Sequence, residues 1–274
     1  MKKNAENSSI ETTAAIIGAT TGATIGTVVA GPLGTIGGAA VGAALEKALI
    51  NLGNDIKARK LSKNENRRIG TVYSLAREKI KANLKAGKAV NDAYLSQSTS
   101  DRSDFDELTE ETLFAAQRES EEKKIPYLSK LYANALFDKR VDQATAFQLI
   151  RIAEKLSFQQ ILILTTVGFF QIAGETIGKT PLKTTAYNTI SDVRRMSIAV
   201  DTYSLYREGL LQSSSVVFDP PGITPANLSV RGLGALLYDL MELSTLPLEN
   251  RIEDIVDYLT DGNYSRQIMP KNDA

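Results

Sequence analysis

From Thr12 to Leu45 the chain carries no charged residue, and its side chains are mostly small: Ala, Thr and Gly with scattered Ile and Val. Within this stretch Gly18, Gly22 and Gly26 stand four apart, and Gly34, Gly38 and Gly42 repeat the spacing. Residues four apart share one helix face. Gly31-Pro32 is turn punctuation, so the pattern predicts two helices, Thr13–Ala30 and Leu33–Ile50, of 18 residues each. At about 1.5 Å per residue each would be about 27 Å long, close to a bilayer core of about 30 Å. In water a glycine costs a helix about 1 kcal/mol relative to alanine. In lipid, small residues four apart let backbones approach and gain packing contacts. The pattern predicts a glycine-zipper transmembrane hairpin over residues 1–54; a buried soluble hairpin and a disordered tail are the alternatives.

The rest of the chain reads as mainly α. Residues 55–100 form a basic linker with an amphipathic helix, "TVYSLAREKIKANLKAG", closing on Lys85 and Gly87. Residues 101–185 read as a helical domain. "DFDELTEETLFAAQRESEEKK" opens acidic and closes basic, as the helix dipole prefers. "IPYLSKLYANALFD" places Pro126 in a first turn, and Asp142 and Ser157 are candidate N-caps of the next two helices. The second of these is apolar over Ile161–Leu164 and Val167–Phe170, short for a membrane span and suited to a buried core helix. Residues 186–274 change character: a helix ending near Leu211, "SSSVVFD" as a strand, "PPGITPA" as a turn, then "NLSVRGLGALLYDLMEL" as a short strand entering a helix. That order predicts a winged-helix-like unit with a small β-wing.

Charge refines the hairpin. Lys2 and Lys3 precede it and Lys57, Arg59 and Lys60 follow it, while its turn is uncharged. The positive-inside rule then puts both termini in the cytoplasm. In the first helix only Ile16, Ile17, Ile25, Val28 and Val29 are strongly apolar, supplying roughly −2 kcal/mol toward insertion. Insertion should therefore depend on helix association, which predicts a homo-oligomer or conditional entry. Glu46 continues the Gly34–Gly38–Gly42 stripe with Lys47 beside it; the pair reads as pore lining or gate, or as the mark of a membrane interface. Lys57, Arg59 and Lys60 read as lipid-headgroup contacts, or as part of a nucleotide or nucleic-acid site.

The chain has no cysteine and no histidine. Disulfides, thiolate metal sites, cysteine nucleophiles and a Ser-His-Asp triad are thereby excluded. Catalysis would rest on carboxylates, Lys or Tyr, with no constellation of them in view, so no enzyme, cofactor or metal is expected. "GETIGKT" ends like a phosphate loop but lacks its spacing. Formal net charge is zero, though Asp55–Lys88 carries eleven basic and three acidic residues and Asp101–Lys124 four basic and nine acidic. On the winged-helix-like unit Arg194, Arg195 and Arg207 are the ligand candidates. They could meet DNA phosphates, but Asp192, Asp201 and Glu208 dilute that surface, and a protein- or ligand-binding role fits as well.

"ESEEKKIPYLSKLYANAL" (Glu119–Leu136), "LSFQQILIL" (Leu156–Leu164) and the closing "GLL…LSVRGLGALLYDL" resemble, in order and type, the abortive-infection alpha family of bacterial proteins. The resemblance spans roughly half the chain, Thr109–Leu246, and leaves the glycine hairpin unaccounted for. It implies bacterial origin and phage defence. The architecture as a whole is also similar to membrane channel effectors of Hailong-type nucleotide-signalling defence systems. The expectation is an antiphage effector at the bacterial inner membrane that oligomerises and permeabilises the bilayer. Its cytoplasmic part would sense a nucleotide messenger or a phage component. The alternative is a membrane-tethered or soluble winged-helix regulator that binds DNA.

Overall fold

Ser62 opens the first described helix through a reciprocal cap: its hydroxyl accepts from the Glu65 amide (3.3 Å), and the Glu65 carboxylate accepts from the Ser62 amide (2.8 Å). This helix, α1 (Lys63–Lys85), begins eight residues before the helical periodicity becomes obvious at Thr71. It ends at Gly87, whose φ of 75° lets the Lys88 and Gly87 amides reach the Asn83 and Leu84 carbonyls. The computed structural model describes residues 61–91, 94, 104–177, 182–187, 189–246 and 253–260. Gly18, Gly22, Gly26, Gly34, Gly38, Gly42, Glu46, Lys47, Lys57, Arg59 and Lys60 lie outside the described residues. The described residues form eight α-helices and a two-stranded sheet and are mainly helical, and the chain divides into two compact units, Met1–Glu154 and Lys155–Ala274.

In the first unit α1 packs on α2 (Asp104–Arg118) and α3 (Ile125–Ala135), which also touch each other. The seam is written at helical spacing: Ile69, Val72, Ala76 and Ile80 of α1 are buried, as are Phe105 and Leu108 of α2 and Leu128 and Leu131 of α3. Two polar contacts inside it are satisfied. Asn83 donates to the Asn134 side chain (2.9 Å), and the Thr109 and Tyr132 hydroxyls meet at 2.7 Å. Pro126 stands in the first turn of α3, and Asp142 caps α4 (Gln143–Lys155) by accepting from the Thr145 amide (2.8 Å).

In the second unit α5 (Phe158–Ile177), whose cap Ser157 accepts from the Gln160 amide, packs on α6 (Val193–Arg207), α7 (Leu233–Leu240) and α8 (Glu253–Thr260). Residues 161–168 of α5 are all buried, as a helix apolar on every side requires. No single helix among the described residues is long and apolar enough to cross a membrane. Strands β1 (Leu211–Ser213) and β2 (Leu228–Val230) pair antiparallel, Leu211 opposite Val230. Gln171 of α5 accepts from the Val230 amide (2.9 Å), satisfying a strand donor with a helix side chain. Where α7 begins, Gly234 lies against the chain: a Cβ there would sit 1.9 Å from the Leu210 carbonyl oxygen.

Candidate functional site

Helix α6 carries the three described ligand candidates. Asp192 caps it by accepting from the Arg195 amide (2.8 Å), and Gly209, at φ 73°, closes it, the Leu210 amide reaching the Leu205 carbonyl. Ile198, Ala199, Thr202 and Leu205 face inward. Arg194 and Arg195 therefore emerge together, exposed, in the first turn, while Arg207 is exposed in the last. Thirteen positions of α-helix separate Arg194 from Arg207, about 20 Å along the axis. The three arginines do not converge on one small ligand.

Each end is also engaged. The Arg194 guanidinium pairs with the Asp254 carboxylate of α8. The Arg207 guanidinium lies 6.0 Å from the centre of the Tyr203 ring, within cation–π reach. Tyr203 in turn sits beside Tyr206 and donates its hydroxyl to the Phe218 carbonyl (2.9 Å). The segment after β1 is thereby tied to the Arg207 end of α6.

That segment differs from the expectation. Pairing occupies Leu211–Ser213, two residues ahead of "SSSVVFD", and Val216–Phe218 is an open loop. Val217 turns inward, 6 % exposed, while Val216 is 73 % and Phe218 87 % exposed. The signals were Ser213–Ser215 before the valines and Pro220-Pro221 after them, which interrupt a strand.

Elsewhere the chemistry is structural. A crevice in the first unit, lined by Val72, Tyr73, Ala76, Ile80, Thr109 and Tyr132 among others, encloses only about 10 Å³, far below the roughly 300 Å³ at which ligand pockets begin. In the second unit Tyr187 and Tyr258 stack at 4.5 Å, with Lys183 Nζ 3.9 Å from the Tyr187 ring centre. Burial pushes the Tyr258 phenol up, so it stays neutral at physiological pH. Among the described residues no group of three acidic side chains could hold a metal ion. Comparison with known proteins yields no match: no family model, no curated protein and no solved structure corresponds to the chain.

Proposed function

We propose that this chain is an antiphage effector of the bacterial inner membrane, anchored by a glycine-zipper hairpin that oligomerises and permeabilises the bilayer. The observation that carries the reading is the 34-residue uncharged stretch with two glycine triplets at a spacing of four. Close backbone approach between helices is the physical use of that pattern in lipid. The helical parts that follow would sense the infection signal, a nucleotide messenger or a phage component. Association of the hairpins would open a lumen near Glu46 and Lys47. The resemblance to the abortive-infection alpha family supports the phage-defence setting.

The test is fractionation with an alkaline-carbonate wash, on the full chain and on a chain beginning at Asp55. The expected result is a full chain that resists the wash and a shortened chain that is released. Release of both would overturn the membrane reading and leave the zipper as a contact between soluble proteins.

A second reading, a winged-helix DNA-binding regulator, draws on the antiparallel β1–β2 pair between α6 and α7. Arg194 and Arg195 would then contact phosphates. The pairing of Arg194 with Asp254 and the acidic residues around α6 weigh against it. Retention of duplex DNA at low salt, lost on Arg195→Ala and falling steeply as salt rises, would favour it.

A further inference from the structure

We propose that the Val216–Phe218 loop is a second membrane contact: a shallow apolar wedge that seats the second unit on a lipid surface. The proposal goes beyond the hairpin reading and stands on side chains of this unit alone. Soluble surfaces carry scattered apolar residues, but a phenylalanine 87 % exposed, two positions from a valine 73 % exposed, is a concentrated apolar display. The loop is built to hold it out. Val217 between them is buried, the Tyr203 hydroxyl holds the Phe218 carbonyl, and the Ser214 amide donates to the Asn227 carbonyl at 3.1 Å. These ties set the backbone course of the loop, with Val217 inward and its two neighbours outward.

Two observations select lipid as the occupant. The run Gly209–Phe218 contains no charged residue, and the exposed Asp219 that follows it accepts from the Gly222 amide (2.8 Å), so the contact is a shallow one made by the two side chains at the headgroup–acyl boundary. Arg207 lies 6.0 Å from the centre of the Tyr203 ring, whose hydroxyl anchors the loop, and offers a cation to lipid phosphates. The competing occupants fit less well. A stable contact with a second copy needs about 800 Å² per partner, some 20–30 residues, whereas this display is two side chains at a loop tip. Nucleic acid needs net positive charge, and Asp192–Glu208 holds three basic and three acidic residues.

The chain has no tryptophan, which makes the test local. Phe218→Trp in the full chain introduces a single reporter at an exposed position. Vesicles of phosphatidylethanolamine and phosphatidylglycerol should shift its emission to the blue, and lipids brominated near the headgroup should quench it more than lipids brominated deep in the chain. Val216→Trp should behave alike, and Arg207→Glu should weaken the shift. A parallel Ile25→Trp chain reports the hairpin separately. Should Ile25→Trp be quenched while both loop reporters stay in water, the wedge is refuted and the hairpin reading survives. Should the loop reporters be quenched while Ile25→Trp is not, the wedge stands and the hairpin reading fails. Quenching of Phe218→Trp by single-stranded DNA without vesicles, or a blue shift that grows with protein concentration alone, would overturn the proposal in favour of base stacking or self-association.

Discussion

Glu119 and Lys124 are each only 5 % exposed, and their charges meet at 2.5 Å. Charges in such a place persist when further hydrogen bonds stand beside the ion pair. Lys124 Nζ also donates to the Glu154 carbonyl (2.8 Å), and Glu119 Oε1 accepts from the Glu121 amide (2.8 Å). The network fixes the short turn that links α2 to α3 and ties it to the end of α4, where Arg118 grips the Glu154 carboxylate with two nitrogens. Removing one member strands the other in a medium that solvates it poorly. Glu119→Ala should lower stability by about 3 kcal/mol. Urea unfolding checks it: the midpoint should fall with the slope unchanged. The neighbouring surface pair of Arg67 with Glu122 is half-exposed, and Glu122→Ala should cost well under about 1 kcal/mol in the same assay.

At the scale of elements, the start of α1 predicts an acid sensitivity. The Gln117 side chain donates to Glu65 (3.0 Å), and with the Ser62 bonds this holds the Glu65 carboxyl down at about 2, against an ordinary 4.5. A carboxyl whose pKa is lower folded than unfolded stabilises the fold above its unfolded value. That contribution is lost as the pH falls from about 4.5 toward about 2. Glu65→Gln should therefore flatten the loss of stability over this window, measured as thermal midpoints at stepped pH, and leave the neutral-to-basic limb unchanged. The same cap explains where the sequence was misread. Ser62-x-x-Glu65 is a start signal, yet Lys63, Arg67 and Arg68 fall in the stretch that reads as a basic linker, so the expected helix begins only at Thr71. Helix α3, with apolar residues at regular spacing, and the apolar run of α5 as far as Phe170 are legible in the sequence, as are Pro126, Asp142 and Ser157 as start signals; α5 continues to Ile177. The first strand was drawn too late because valines carry strand propensity wherever they stand. Leu211 and Val230, both buried and paired across the ladder, decide the register instead. Of the α6 arginines, the sequence could show their exposure on a helix. It could not show that Arg194 is claimed by Asp254, sixty positions away, since nothing local encodes such a contact.

For the whole molecule, a net charge of zero gives no overall electrostatic pull toward a partner, so recognition falls to shape and to local chemistry, the basic Asp55–Lys88 stretch included. Two features that stand apart from ordinary core building are apolar: the glycine triplets in the sequence and the Val216–Phe218 tip in the structure. Their physical demands differ. A wedge tolerates any bulky apolar side chain, whereas a zipper depends on the absence of side chains, because each added atom separates the helix axes. Gly22→Leu with Gly38→Leu raises the hydropathy of both segments, so partition into lipid should be kept or improved. Close helix approach should be lost. If the hairpin is the effector, such a chain stays in the carbonate-resistant membrane fraction but no longer protects an infected culture or depolarises its cells. Full protection by the doubly substituted chain would remove the zipper from the mechanism even if the hairpin is inserted. Release of that chain from the membrane would instead make helix association the condition for insertion, in keeping with the weak apolar character of Thr13–Ala30.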